Sequence, residues 1–186
     1  PSLLSRAVAR RVVKVALSGL GGDERFGGYP IFRDVPRRSW LAKLPRALRQ
    51  MIGGARLADL PNDAGVVELA QWRRRFFTDV MLRAAGLPNE PTPLPESVEL
   101  PDDFARISWA ELTGYMRRML LRASDQKNMA VSIELRVPFL GPELVEFPIG
   151  LPAAEKQRYP CTERLLVEPS RDMHPPTSHE SAKQRH

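Results

Sequence analysis

At the start of the chain, a β-branched apolar run, Val12-Val13-Lys14-Val15-Ala16-Leu17, stops at Ser18-Gly19. Short apolar runs bounded by turn residues read as buried parallel strands. Gly19, Gly21 and Gly22 then supply a flexible turn, and Asp23-Glu24 stand where a helix N-terminus favours negative charge. From about residue 36 to 150 the pattern is helical with proline-rich breaks. Leu69, Trp72, Phe76, Val80 and Ala84 recur at helical spacing, which predicts a helix over 66–85 with Gly86 as its stop signal. Segment 87–103 holds five prolines and reads as a loop. Ser108-x-x-Glu111 has the form of a capping box opening a helix with Trp109, Leu112, Met116, Met119 and Ala123 on one face. Val137-Pro138-Phe139-Leu140 cannot be regular helix at Pro138, and Pro142 suits the first turn of a helix through Leu144-Val145-Glu146-Phe147. From Pro169 onward Pro, Ser, His and charged residues dominate, so 169–186 is expected to be a disordered tail. His174, His179 and His186 fall in that tail and read as bland rather than as a metal site.

Length and composition narrow the classes. A chain of 186 residues suffices for one domain with a core, and no apolar run approaches the roughly 20 residues a membrane helix needs. Cys161 is the sole cysteine, which excludes an intrachain disulfide and a paired-cysteine zinc site and suits a cytoplasmic setting. No signal peptide is read at the start. The net charge of +6 raises nucleic acid as a partner, but the basic groups at Arg37-Arg38, Arg73-Arg74-Arg75 and Arg117-Arg118 lie in separate segments without an interleaved stacking platform. They read as solvated helix faces, and Trp40, Trp72 and Trp109 read as core.

Two constellations carry chemistry. In Ser18-Gly19-Leu20-Gly21-Gly22-Asp23-Glu24-Arg25-Phe26-Gly27-Gly28-Tyr29, a glycine turn after a parallel strand would bring backbone N–H groups close to a phosphate. A neighbouring carboxylate, Asp23, could hold Mg²⁺ together with substrate phosphates. The same residues also fit a plain tight turn with a capping aspartate. About 100 residues later, Glu134 and Arg136 straddle one position, so in extended chain they share a face. They read either as a structural ion pair or as part of a site.

The first block resembles the pattern S-G-(D/E)-G-(G/S/A)-D-E-L-F-G-G-Y of the glutamine-hydrolysing asparagine synthetases. The second, Asp125 to Leu140, resembles that family's D-x-x-S-M-A-x-S-(L/V)-E-x-R-x-P-F-L-D, with Leu144-Val145-Glu146-Phe147 and Leu151-Pro152 as its continuation. The resemblance spans roughly residues 5 to 168 and implies a partial synthetase domain over 1–168. The implied fold class is α/β: a truncated parallel-sheet domain of the ATP-pyrophosphatase (adenine-nucleotide hydrolase-like) type, mostly helical over this stretch. The implied activity is ATP-dependent amidation of the aspartate side-chain carboxylate through an acyl-adenylate, with ATP and Mg²⁺ required and ammonia drawn from glutamine by a separate domain. By the same resemblance Ser18 and Gly19 lie at the nucleotide, Asp23 at the metal and pyrophosphate, and Glu134 and Arg136 in a substrate or structural motif.

The chain also departs from that pattern. It contains no S-G-G-x-D-S phosphate loop, so the resemblance implies a fragment that is inactive alone and a partner chain carrying the missing half. Leu20 stands where the family has an acidic residue, Glu163 where it has a lysine, and Gly141 where it has an aspartate. A reversed charge at 163 would repel polyphosphate. These departures leave two further readings, a non-catalytic interaction or regulatory remnant of the fold, and an amidotransferase acting on another carboxylate. Without its first strands the sheet is expected to expose an edge.

Overall fold

The computed structural model describes residues 3–10, 13–88 and 99–156. The expected tail, Cys161, Glu163 and most of the 87–103 loop lie outside the described residues. Among those described, the fold is mostly helical with one small parallel sheet, a composition compatible with an α/β class. After α1 (Leu3–Ala9) come β1 (Val15–Leu17), α2 (Gly22–Phe26), α3 (Ile31–Arg38), a 3₁₀ turn at Ser39–Lys43, α4 (Arg46–Ala58), α5 (Val66–Arg74) and α6 (Asp79–Ala84). Beyond the proline-rich segment, α7 (Asp103–Ala110) runs into a π-helical stretch (Glu111–Leu121) and then α8 (Arg122–Met129). β2 (Glu134–Arg136), a 3₁₀ turn at Pro138–Leu140, α9 (Pro142–Gly150) and α10 (Ala153–Lys156) complete it.

The core is helical. Ile31, Phe32 and Val35 of α3 pack with Leu69 and Ala70 of α5 and with Phe104, Ile107 and Ala110 of α7. Phe32 stacks on Phe104 with ring centroids 4.5 Å apart. This arrangement overturns the buried strand expected at 12–17. Val15 is 38% exposed and Leu17 75%, because the core is gathered by the helices and no described layer covers the outer side of the strand.

Three further expectations change. The helix expected over 66–85 is broken, because Arg75 adopts extended backbone and Thr78 caps a new helix by accepting from the Met81 amide at 3.3 Å. The Asp59 carboxylate also takes the Asp79 amide at 2.7 Å, which offers that N–H a partner outside the helix. Beyond the break the apolar stripe faces solvent, with Phe76 73% exposed, whereas Gly86 does end α6 in left-handed backbone at φ 65°. The capping box at Ser108-x-x-Glu111 is not a cap. The helix begins earlier, at Asp102, whose carboxylate accepts the Ala105 amide at 2.7 Å, so Ser108 and Glu111 lie inside a continuous helix with both side chains buried. Trp40 is exposed rather than core.

Candidate functional site

The parallel pairing of β1 with β2 joins the two sequence blocks. Val15 faces Glu134, Ala16 faces Leu135 and Leu17 faces Arg136. The ladder is closed by Glu134 N–H donating to the Lys14 carbonyl at 2.8 Å and Ser18 N–H to the Arg136 carbonyl at 2.9 Å. Both strands therefore end at the same side, and the Ser18–Gly22 turn emerges there beside the 137–140 segment. Ligands of parallel sheets bind outside the carboxyl ends of the strands.

The turn is shaped by local chemistry. The Ser18 hydroxyl accepts the Leu20 amide at 3.4 Å, and Gly22 N–H donates to the Gly19 carbonyl at 3.2 Å. Gly21 sits at φ 96°, a left-handed conformation that disfavours side chains. A Cβ there would lie 2.6 Å from Leu140 Cδ2, so glycine is required by packing as well as by backbone. Gly19 is exposed, and a Cβ there would meet nothing within 4 Å. Asp23, partly buried, opens α2 with Glu24, and the Asp23 carbonyl accepts the amides of Gly27 at 3.1 Å and Gly28 at 2.9 Å.

Behind the turn lies a buried polar network that the sequence reading missed. The Glu24 carboxylate accepts the Tyr29 hydroxyl at 3.0 Å. Burial raises the Glu24 carboxyl above its ordinary range, with Asp23 and Glu111 adding to the rise and hydrogen bonds opposing it. Burial and the nearby Glu24 charge also push the Tyr29 phenol up. Arg74 stands over the Tyr29 ring at 4.5 Å and the Tyr115 ring at 4.1 Å, and forks onto Glu111 with contacts of 2.5–3.1 Å. Burial works to lower Arg74, but its hydrogen bonds to Glu111 and that residue's charge outweigh it, so the guanidinium is held protonated. Arg74 is thus not the solvated helix face that the Arg73-Arg74-Arg75 run suggested.

Arg25 is a buried cation against the second block. It is 1% exposed, donates from Nη1 to the Phe139 carbonyl, and leaves Nε and Nη2 without a hydrogen-bond partner among the described residues. Burial lowers its pKa to about 10. Together with the edge-on Phe26–Phe139 contact at 6.4 Å, it fastens α2 to the second block. Glu134 and Arg136 form an ion pair at 2.8 Å, but both are exposed, so the pair lies on the surface and holds no buried charge.

Among the described residues, no cluster of three or more His, Cys, Asp or Glu could cage a metal. The carboxylate placed at the turn is Asp23, since the neighbouring Glu24 is buried against Tyr29 and Leu20 offers no ligand. That suits Mg²⁺ arriving on a polyphosphate and does not suit an ion held by protein alone.

Comparisons with known proteins agree with the motif reading. A family model described as asparagine synthase matches residues 2–186. A putative glutamine-hydrolysing asparagine synthetase of Mycobacterium tuberculosis strain H37Rv is 34% identical over 166 residues, covering 80% of this chain and 26% of that protein. Glutamine-hydrolysing asparagine synthetase 1 of Bacillus subtilis is 27% identical over 178 residues, covering 85% of this chain and 28% of its own length. The chain spans about a quarter of the length of these relatives. No solved structure matches it.

Proposed function

The chain belongs to the asparagine synthase family, and from that premise we propose that it supplies part of an ATP-pyrophosphatase-type site that amidates a carboxylate, with the aspartate side chain as substrate. The observation that carries this reading is the β1–β2 pairing, which brings the glycine turn and the second block to one end of a parallel sheet. In the proposed reaction a carboxylate oxygen of aspartate attacks the α-phosphorus of ATP and pyrophosphate leaves. Ammonia, derived from glutamine, then attacks the acyl carbon of the adenylate and AMP leaves.

Ser18 and Gly19 would stand at the nucleotide, where turn amides stabilise phosphate charge. Asp23 would hold the Mg²⁺, which spreads charge on the polyphosphate when bound. Arg25 and the Glu24–Tyr29 bond act as positioning groups, since they fix α2 and with it Asp23. Residues 1–186 contain no phosphate loop, so catalysis requires one from outside them, on the same or a partner chain.

Leu20 favours a second reading, a non-catalytic member that keeps the fold as an interaction module. A leucine offers neither a metal ligand nor a hold on an amine. The two readings separate when the chain is joined to a segment carrying the family's S-G-G-x-D-S loop and given Leu20→Asp with Glu163→Lys. Pyrophosphate release dependent on aspartate supports the enzyme. A folded chimera that releases none supports the non-catalytic member.

A further inference from the structure

Away from the strand ends, a cavity of about 240 Å³ opens between α5, the 75–76 break and the π-helical stretch. Phe76, Tyr115 and Met119 give it an apolar wall, and two of these, Phe76 at 73% and Met119 at 50%, are exposed. The polar contributors are Gln71, Arg74, Arg75, Glu111 and Arg118, and Arg75 is paired with Asp79 at 2.6 Å. Arg74 and Glu111 satisfy one another through their forked contact. Gln71 does not: its amide nitrogen is buried and has no hydrogen-bond partner among the described residues. Arg118 is exposed and likewise has no ion-pair partner among them. A buried donor left unpaired costs free energy that an acceptor on a ligand recovers.

The backbone makes the room. Residues 111–121 are π-helical, a rare geometry that frequently accompanies functional sites. Gly114 lines the cavity, and a Cβ added there would meet nothing within 4 Å.

We propose that this cavity is a binding site for a small organic carboxylate with an apolar, preferably aromatic, body. The ring lies against Phe76, Tyr115 and Met119, and the carboxylate oxygens accept from the Gln71 amide and the Arg118 guanidinium. Charge decides the class: Glu111 is neutralised by Arg74 and Arg75 is paired with Asp79, which leaves Arg118 as the wall's cation without an ion-pair partner among the described residues. The proposal does not rest on the nucleotide reading, and its ligand is expected to bind without ATP.

The test is titration of the full chain with 3-phenylpropionate, followed by calorimetry and by NMR of the methionine methyl groups. Saturable binding with Met119 among the shifted methyls is expected, and 3-phenylpropan-1-ol should bind at least about fivefold more weakly because it lacks the ionic contact. Arg118→Glu should weaken binding by about tenfold or more. Gly114→Leu should abolish it by filling the cavity, while Arg38→Glu, an equal charge change on α3, should leave it unchanged. Circular dichroism checks that the variants keep their helix content, and Gln71→Leu serves as a second variant should Gly114→Leu unfold. No saturable binding to the wild-type chain overturns the proposal. So does equal affinity for acid and alcohol that survives Arg118→Glu, the signature of an apolar patch alone.

Discussion

Arg25 shows how a single side chain can hold a turn while costing stability. A guanidinium has five N–H donors, and this one spends Nη1 on the Phe139 carbonyl, with Nε and Nη2 buried and unpaired among the described residues. Replacing a buried ion pair by apolar bulk is often neutral or stabilising by about 1–4 kcal/mol, and Arg25, bonded to a neutral carbonyl, recovers less of its desolvation cost than such a pair does. Arg25→Leu is therefore expected to leave stability unchanged or raise it, as read by denaturant unfolding, and a loss beyond about 1 kcal/mol would show that the single bond to Phe139 dominates. Glu24 gives a pH-dependent counterpart. Its folded pKa is raised from 4.5 by burial, so the folded state holds the proton more tightly than the unfolded chain does. The stability from this group is complete below about 4.5 and is lost as pH rises through the raised value. Glu24→Gln keeps an acceptor for the Tyr29 hydroxyl without the charge. The variant should be at least as stable as the wild type at neutral pH, with the difference shrinking as pH falls toward 4.5. A wild-type chain that instead gains stability over Glu24→Gln with rising pH would contradict this. Neither residue's burial was legible in the sequence, where Asp23-Glu24 read as the acidic start of a helix.

At the scale of elements, local signals succeeded where nothing competed with them and failed where tertiary partners did. The turn after β1, the acidic start of α2, the stop at Gly86 and the helix start at Pro142 all follow from backbone chemistry within a few residues. The break after Arg74 does not, because part of its cause is Asp59, 20 residues away, which takes the Asp79 amide. Glu111 misled for a related reason. Its spacing from Ser108 imitates a capping box, yet its spacing from Phe104 and Ile107 places it on the buried face, where Arg74 makes it tolerable. A charged residue at core spacing was the available signal. The true cap, Asp102, also accepts the Ala153 amide at 3.1 Å, so it ties α7 to α10. Asp102→Ala should therefore cost more than an ordinary cap, toward the upper end of about 0.5–2 kcal/mol in unfolding. A loss within a few tenths of a kcal/mol would show that the second bond contributes nothing.

Over the described residues the molecule divides into a helical core around α3, α5 and α7 and a small parallel sheet. The motif blocks were legible because their order and spacing are specific, and their pairing in space follows from β1 and β2 lying side by side. The exposure of the sheet was not legible: Val15 and Leu17 have the composition of buried strand residues, and nothing in an apolar run tells whether a covering layer exists. The central claim, that the turn at 18–23 serves an ATP-dependent amidation, is tested most directly by pyrophosphate release with ATP, aspartate, ammonia and Mg²⁺. The assay compares residues 1–186 alone with the same residues joined to a segment carrying the family's phosphate loop. The account predicts no release from the first, aspartate-dependent release from the second once Leu20→Asp and Glu163→Lys are introduced, and its loss on adding Asp23→Asn. Release that ignores Asp23→Asn, or none from the folded, restored chain, would contradict it.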